Sequence, residues 1–202
     1  MKKAVNISII LLLIIGLYTV VYGQEPVITN EEAVVNSVEK AIYGKLSAYG
    51  KSSLYINSAD KGINQPISQG IINAAKKGGM RVYLDETKAA DYQVLYDVLG
   101  FEFKYENGSS RGFLRDKKIR RNLNTLLRLT LKTTDDGEVA MLDDLRVVFE
   151  DEIDPGYFDY VSSDDIPSLS PLPPKSTVKK IAEPVVMTTA IGALVFLFFA
   201  NR

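Results

Sequence analysis

Between Ile119 and Lys132 the chain alternates in character, with Ile119, Leu123, Leu127, Leu129 and Leu131 on one parity and Arg120, Asn122, Asn124, Arg128 and Lys132 on the other. A period of two sorts side chains onto opposite faces of a β-strand, so one face is apolar and must be buried. Asp136-Gly137 follows, a pair suited to a tight hairpin turn because it tolerates positive φ. Val139, Met141, Leu145, Val147 and Phe149 then continue at odd positions as the returning strand. Upstream, Asp91 to Glu106 has a long strand pattern in which Tyr92, Val94, Tyr96 and Val98 share one face. The apolar parity then changes to Phe101, Phe103 and Tyr105. A bulge at Gly100 accounts for the change, since one inserted residue moves the following side chains to the other face. These three strands are expected to form an antiparallel meander.

The preceding part reads as helix and strand in alternation. Thr29-Asn30-Glu31-Glu32 has the capping-box spacing, in which Thr29 caps the backbone and Glu32 reaches back. Val34, Val35, Val38, Ala41, Ile42, Leu46 and Tyr49 recur at helical spacing behind it, and Gly50 is placed to end the helix. Leu54 to Asn57 is a short strand, Ser58 to Gln65 a polar loop, and Pro66 is placed to open a second helix. Its inner stripe is Ile67, Ile71, Ile72 and Ala75, with Gly78-Gly79 as its stop. Met80, Val82 and Leu84 mark another half-buried strand. The expected fold is α+β, two helices packed on a mixed or antiparallel sheet of about five strands, in the order α-β-α-β-β-β-β.

The ends have a different composition. Met1-Lys2-Lys3 precedes an uncharged run from Ala4 to Tyr22, the pattern of an export signal, with a cleavage site suited to the bond before Gln24. A retained anchor is the alternative, since such a run approaches the roughly 20 residues that span a bilayer. Pro184 to Ala200 is a second uncharged run, expected to be a carboxy-terminal transmembrane helix. Residues 1–23 are therefore expected to be a signal peptide or signal anchor, 24–152 an extracytoplasmic α/β domain, 153–182 an acidic Pro- and Ser-containing linker, and 183–202 the transmembrane helix. Lys2 and Lys3 tend to stay inside, which places the domain in the periplasm, and a spanning apolar helix points to the inner membrane. With no cysteine in the chain, neither a disulfide nor a lipid-modified cysteine is available.

The chain also has no histidine, which removes the commonest general base and metal ligand. Its net charge of −1 gives no bias towards nucleic acid. Asp143 and Asp144 are neighbours on a strand, so they point to opposite faces and form no catalytic dyad. No phosphate loop or nucleophile elbow is present, and neither an enzymatic activity nor a cofactor is expected. The local bias that stands out is basic: Arg111, Arg115, Lys117, Lys118, Arg120 and Arg121 lie within eleven residues, broken by a single acid, Asp116. It could meet anionic lipid headgroups or an acidic partner, or form a solvated hairpin end.

The element order, with Ala90-Asp91-Tyr92 opening the long strand and Asp136-Gly137-Glu138 turning the last hairpin, resembles the small α/β domains of the TolB amino-terminal and curli-secretion-channel type over about residues 30 to 152. Such domains act in envelope assembly or transport as non-catalytic interaction modules. The resemblance implies a protein partner in the bacterial cell envelope, with a lipid- or small-ligand-binding module at the membrane surface as the alternative.

Overall fold

A computed structural model of the chain describes residues 26–57, 62–85, 89–109 and 117–174. The expected export signal before Gln24, Arg111 and Arg115 of the basic segment, and the tail helix from Pro184 lie outside the described residues. Among the described residues no helix is long and apolar enough to cross a membrane.

The elements follow the expected order: α1 (Asn30–Leu46), β1 (Ser53–Ile56), α2 (Asn64–Lys77), β2 (Arg81–Tyr83), β3 (Tyr92–Asn107), β4 (Ile119–Thr133) and β5 (Val139–Ile153). They build an α+β fold on one five-stranded mixed sheet, ordered β2-β1-β3-β4-β5. β1 lies parallel to both β2 and β3, because α2 carries the chain across between β1 and β2. The three long strands form the meander, β3 and β5 each running antiparallel to β4.

Local chemistry explains the boundaries. At the start of α1 the Glu32 N–H donates to Thr29 Oγ1 at 3.2 Å, and the Thr29 N–H donates to Glu32 Oε2 at 2.8 Å. Two helix-end donors are thereby satisfied by one reciprocal pair. α2 begins at Asn64, two residues before Pro66, so the loop after β1 is shorter than expected and the proline sits buried within the first turn. Gly79 ends this region with a φ of +88°, a conformation in which a side chain is strained. In β3 the register shifts between Val98 and Gly100, leaving Leu99 as the extra residue. Phe101, Phe103 and Tyr105 are thus returned to the face already used by Val94 and Val98.

Both long helices pack on one face of the sheet. Val34, Val38, Ile42 and Leu46 from α1 and Ile67, Ile71 and Ala75 from α2 meet Leu127, Leu129 and Leu131 of β4 in a single core. Each such Val, Leu or Ile side chain contributes about 1.5–3 kcal/mol by leaving water. The two helices touch at Gly70, where a Cβ would stand 2.7 Å from Val38 Cβ and 2.8 Å from the Val35 carbonyl oxygen. Only glycine permits that approach.

The chain beyond β5 corrects an expectation. The stretch from residue 153, expected to be an extended linker, is folded as far as Ser170. It contains a third helix, α3 (Phe158–Val161), between two single 3-10 turns, Pro155–Tyr157 and Pro167–Leu169. Val161, Ile166 and Leu169 are buried, and Phe158 packs edge-on against Tyr105 at a centroid distance of 5.2 Å. The reason is the spacing of these apolar residues among the acids and serines: they form a strap across the end of the core. Residues 171–174 carry no regular structure.

Gly70→Ala is expected to destabilise the domain by about 1–3 kcal/mol, because the overpacking at Val38 and the Val35 carbonyl outweighs the roughly 1 kcal/mol gain in helix propensity. Urea unfolding of the variant against the parent checks this, and an increase in stability would contradict the close helix crossing.

Candidate functional site: the open sheet face and the Arg121 clasp

The helices cover one face of the meander. The opposite face, formed by alternate residues of β3, β4 and β5, is open among the described residues. Cross-strand register orders it in rows. Leu95, Thr130 and Leu142 form one row, and Asp97, Arg128 and Asp144 the next. Leu126 and Arg146 follow beside Gly100 and the bulged Leu99, and then Glu102, Asn124 and Val148. Leu142 is 63% exposed and Val148 61%, and Leu95, Leu99 and Leu126 are also exposed. Five large aliphatic side chains on one side of three strands exceed the scattered apolar exposure usual on a protein surface.

The charges between them are held in place. Arg128 donates from Nε and Nη2 to the two carboxylate oxygens of Asp144 at 2.7 and 2.8 Å, a fork-to-fork pair. This hydrogen bonding holds the Asp144 carboxyl below the usual carboxylate range. Arg146 donates from Nε to Asn124 Oδ1 at 3.0 Å. Lower on the face, Arg120 reaches Glu152 at 3.2 Å and Glu150 at 3.4 Å. Glu152 accepts from the Ser109 backbone N–H at 3.0 Å and from the Ser109 hydroxyl at 2.6 Å, and is also held below its usual range, chiefly by Ser109.

On the covered face the strand pairing brings Arg121 inside. Its side chain has no exposed surface. The guanidinium donates from Nε to Asp151 Oδ1 at 2.7 Å and from Nη2 to Asp151 Oδ2, and from Nη1 to the Ile28 carbonyl at 2.8 Å and Asn30 Oδ1 at 3.0 Å. Its carbon lies 5.5 Å from the centre of the Phe149 ring. Asn30, equally buried, uses its amide nitrogen to donate to the Leu169 carbonyl at 2.6 Å and to the Tyr105 hydroxyl. One buried cluster therefore joins the start of α1, the ends of β3, β4 and β5, and the strap. Ser163 extends it by donating to Glu31 at 2.5 Å. Arg121 is the buried member and Asp151 is 31% exposed, so removing Asp151, which leaves the guanidinium unsatisfied, is the costly change, up to about 3–5 kcal/mol.

Of the six basic residues singled out in the sequence, the four among the described residues are dispersed. Arg120 lies on the open face, neutralised by two glutamates, while Arg121 is buried on the other face and available to no surface ligand. Lys117 is exposed and Lys118 half-buried just before β4. The parity of β4 carried the signal for Arg121, which stands in the same register as Leu123 and Leu127. The two neighbouring aspartates also separate: Asp143 meets Lys45 of α1 at 2.7 Å and Asp144 meets Arg128 on the opposite face. Among the described residues no three acidic side chains converge as a metal-binding group would require.

No known family model matches the chain, and no curated protein matches it in sequence.

Four carboxyls, three exposed and Glu152 half-buried, set the response to acid. Asp91 is held below its usual range by the Ser53 backbone and hydroxyl, Asp136 by Thr133 and the Glu138 N–H, Asp144 by Arg128, and Glu152 by Ser109. Each binds its proton more weakly when folded, so its stabilisation is complete above its unfolded value and drains as pH falls through the lower folded value. With ordinary values of 3.8 for Asp and 4.5 for Glu, and no histidine, the melting temperature is expected to be level from pH 8 to about 5 and to fall below about pH 4. A melting curve that rose on acidification would contradict the assignment. Asp91→Asn should lower the plateau and make the acid limb shallower.

Proposed function

We propose that the chain is a non-catalytic, membrane-anchored envelope protein whose extracytoplasmic domain holds the open face of β3, β4 and β5 against a protein partner in envelope assembly or transport. The observation that carries this reading is the group Leu95, Leu99, Leu126, Leu142 and Val148, exposed together on one face of the sheet. The fork-paired Arg128 and Asp144 between the leucines suit a protein surface, because they are already satisfied and can be covered without leaving a charge unpaired. The uncharged runs from Ala4 to Tyr22 and from Pro184 to Ala200 support export and attachment, and with them a periplasmic location at the inner membrane. The resemblance to TolB amino-terminal and curli-secretion-channel domains supports the same class of role. Because the strap is folded as far as Ser170, the spacer available before the tail is about residues 171–183, and the domain would stand close to the bilayer.

The lipid-surface alternative is the weaker reading, since Arg121 is buried and Arg120 is paired with Glu150 and Glu152.

Leu126→Asp with Leu142→Asp is expected to leave the fold intact, each exposed change altering stability within about 0.5 kcal/mol. It should abolish crosslinks to envelope proteins from a photoreactive residue placed at Val148 in intact cells. Crosslinks that persist unchanged in the double variant would remove this face from the function.

A further inference from the structure

β5 is the last strand of the sheet, 15 residues long, and its outer edge carries no ladder among the described residues. A long edge of unpaired backbone groups is a template for another strand, and proteins that stay monomeric blunt it by shortness, charged side chains, proline or bulges; the charges in this stretch, Asp143, Asp144 and Arg146, are of both signs. From Met141 to Phe149 β5 has neither proline nor a break in its register with β4. We propose that this segment pairs antiparallel with the same segment of a second copy, about a two-fold axis at Leu145, so that two five-stranded sheets become one.

The register follows from side-chain chemistry. A continuous sheet requires facing residues to belong to the same face, and a two-fold axis requires one residue to meet its own copy. With Leu145 on the axis, Asp144 faces Arg146 of the second copy, and the pair occurs twice. Leu142 faces Val148, and Met141 faces Phe149, each also twice. Asp143 faces Val147 and keeps Lys45 beside it. Moving the axis to Asp144 or to Arg146 sets like charges against each other, and moving it to Asp143 does the same on the covered face. An axis at Val147 brings Asp144 opposite Glu150. Cross-strand pairs of like charge are destabilising, so the Leu145 axis stands alone among the neighbouring registers.

Three features of the edge agree with this pairing. Arg146 meets no carboxylate among the described residues, its one bond being to Asn124, and Asp144 is held by Arg128 from within the sheet. α1 crosses the covered face from Asn30, beside Arg121 on β4, to Lys45, beside Asp143 on β5, and so stays on that face of the sheet. The ladder also has natural limits. The register of β5 with β4 shifts at Ala140, and beyond it Glu138 would face Glu152, which confines the pairing to Met141–Phe149.

The contact is made by the strand edge and goes beyond the partner bound on the open face. Its test uses the full chain in a mild detergent. With no native cysteine, Asp144→Cys and Arg146→Cys carry the only thiols. Co-expressed, the two variants are expected to form a disulfide-linked dimer on oxidation, while each variant alone gives none. The parent should sediment at twice the protomer mass. A homotypic link in Asp144→Cys alone or in Arg146→Cys alone overturns the register. A mixture that fails to link overturns the proposal, whether the parent sediments as one copy or two. Both residues are exposed, so neither change threatens the fold.

Discussion

A guanidinium with no access to water keeps its charge, so everything around Arg121 must be arranged to satisfy it. Asp151 supplies two oxygens from the neighbouring strand, Ile28 a carbonyl from the chain just before α1, and Asn30 its amide oxygen. Asn30 is oriented in turn by the Leu169 carbonyl and the Tyr105 hydroxyl. The start of the first helix, the ends of the three long strands and the folded strap therefore share one set of hydrogen bonds. Apolar burial alone would tolerate sliding among these parts, whereas hydrogen bonds of fixed direction do not.

That clasp has a consequence on the other side of the sheet. With the helices and strap committed to one face, the second face of the meander is left open among the described residues. Its leucines and Val148 stand between ionic rows already closed by Arg128 with Asp144 and by Arg120 with Glu150 and Glu152. A partner that covers such a surface meets closed ion pairs except at Arg146, whose one bond among the described residues is to Asn124 and which calls for an acceptor from the partner. The same arrangement leaves the outer edge of β5 without a ladder among the described residues.

The meander and the first helix were legible in the residues because their signals are local. The period of two in β4, the Asp136-Gly137 turn, the parity change at Gly100 and the reciprocal pair of Thr29 and Glu32 each act within a few positions. The role of Arg121 was harder to see. A basic residue among basic neighbours reads as solvated, and only its shared parity with Leu123 and Leu127 marked it as inward. Its partners, Ile28, Asn30 and Asp151, are distant in sequence, and no local pattern announces them. The strap was missed for a related reason: Val161, Ile166 and Leu169 are too sparse for a helical or alternating period, and they become core residues only because Tyr105 and Asn30 wait for them. The apolar character of the open face is likewise a property of register, since Leu95, Leu126 and Leu142 become neighbours only after three strands pair.

Hydrogen exchange in an Arg121→Met variant tests the clasp most directly. If the buried guanidinium ties the strap to the sheet, the backbone N–H groups of Ser163 and Leu169, now bonded to the Ser170 hydroxyl and the Ile166 carbonyl, should exchange much faster than in the parent, together with a loss of about 3 kcal/mol in global stability. The strands on the β1 side should lose no more protection than that global loss dictates. A variant whose strap amides remain as protected as in the parent would contradict the account.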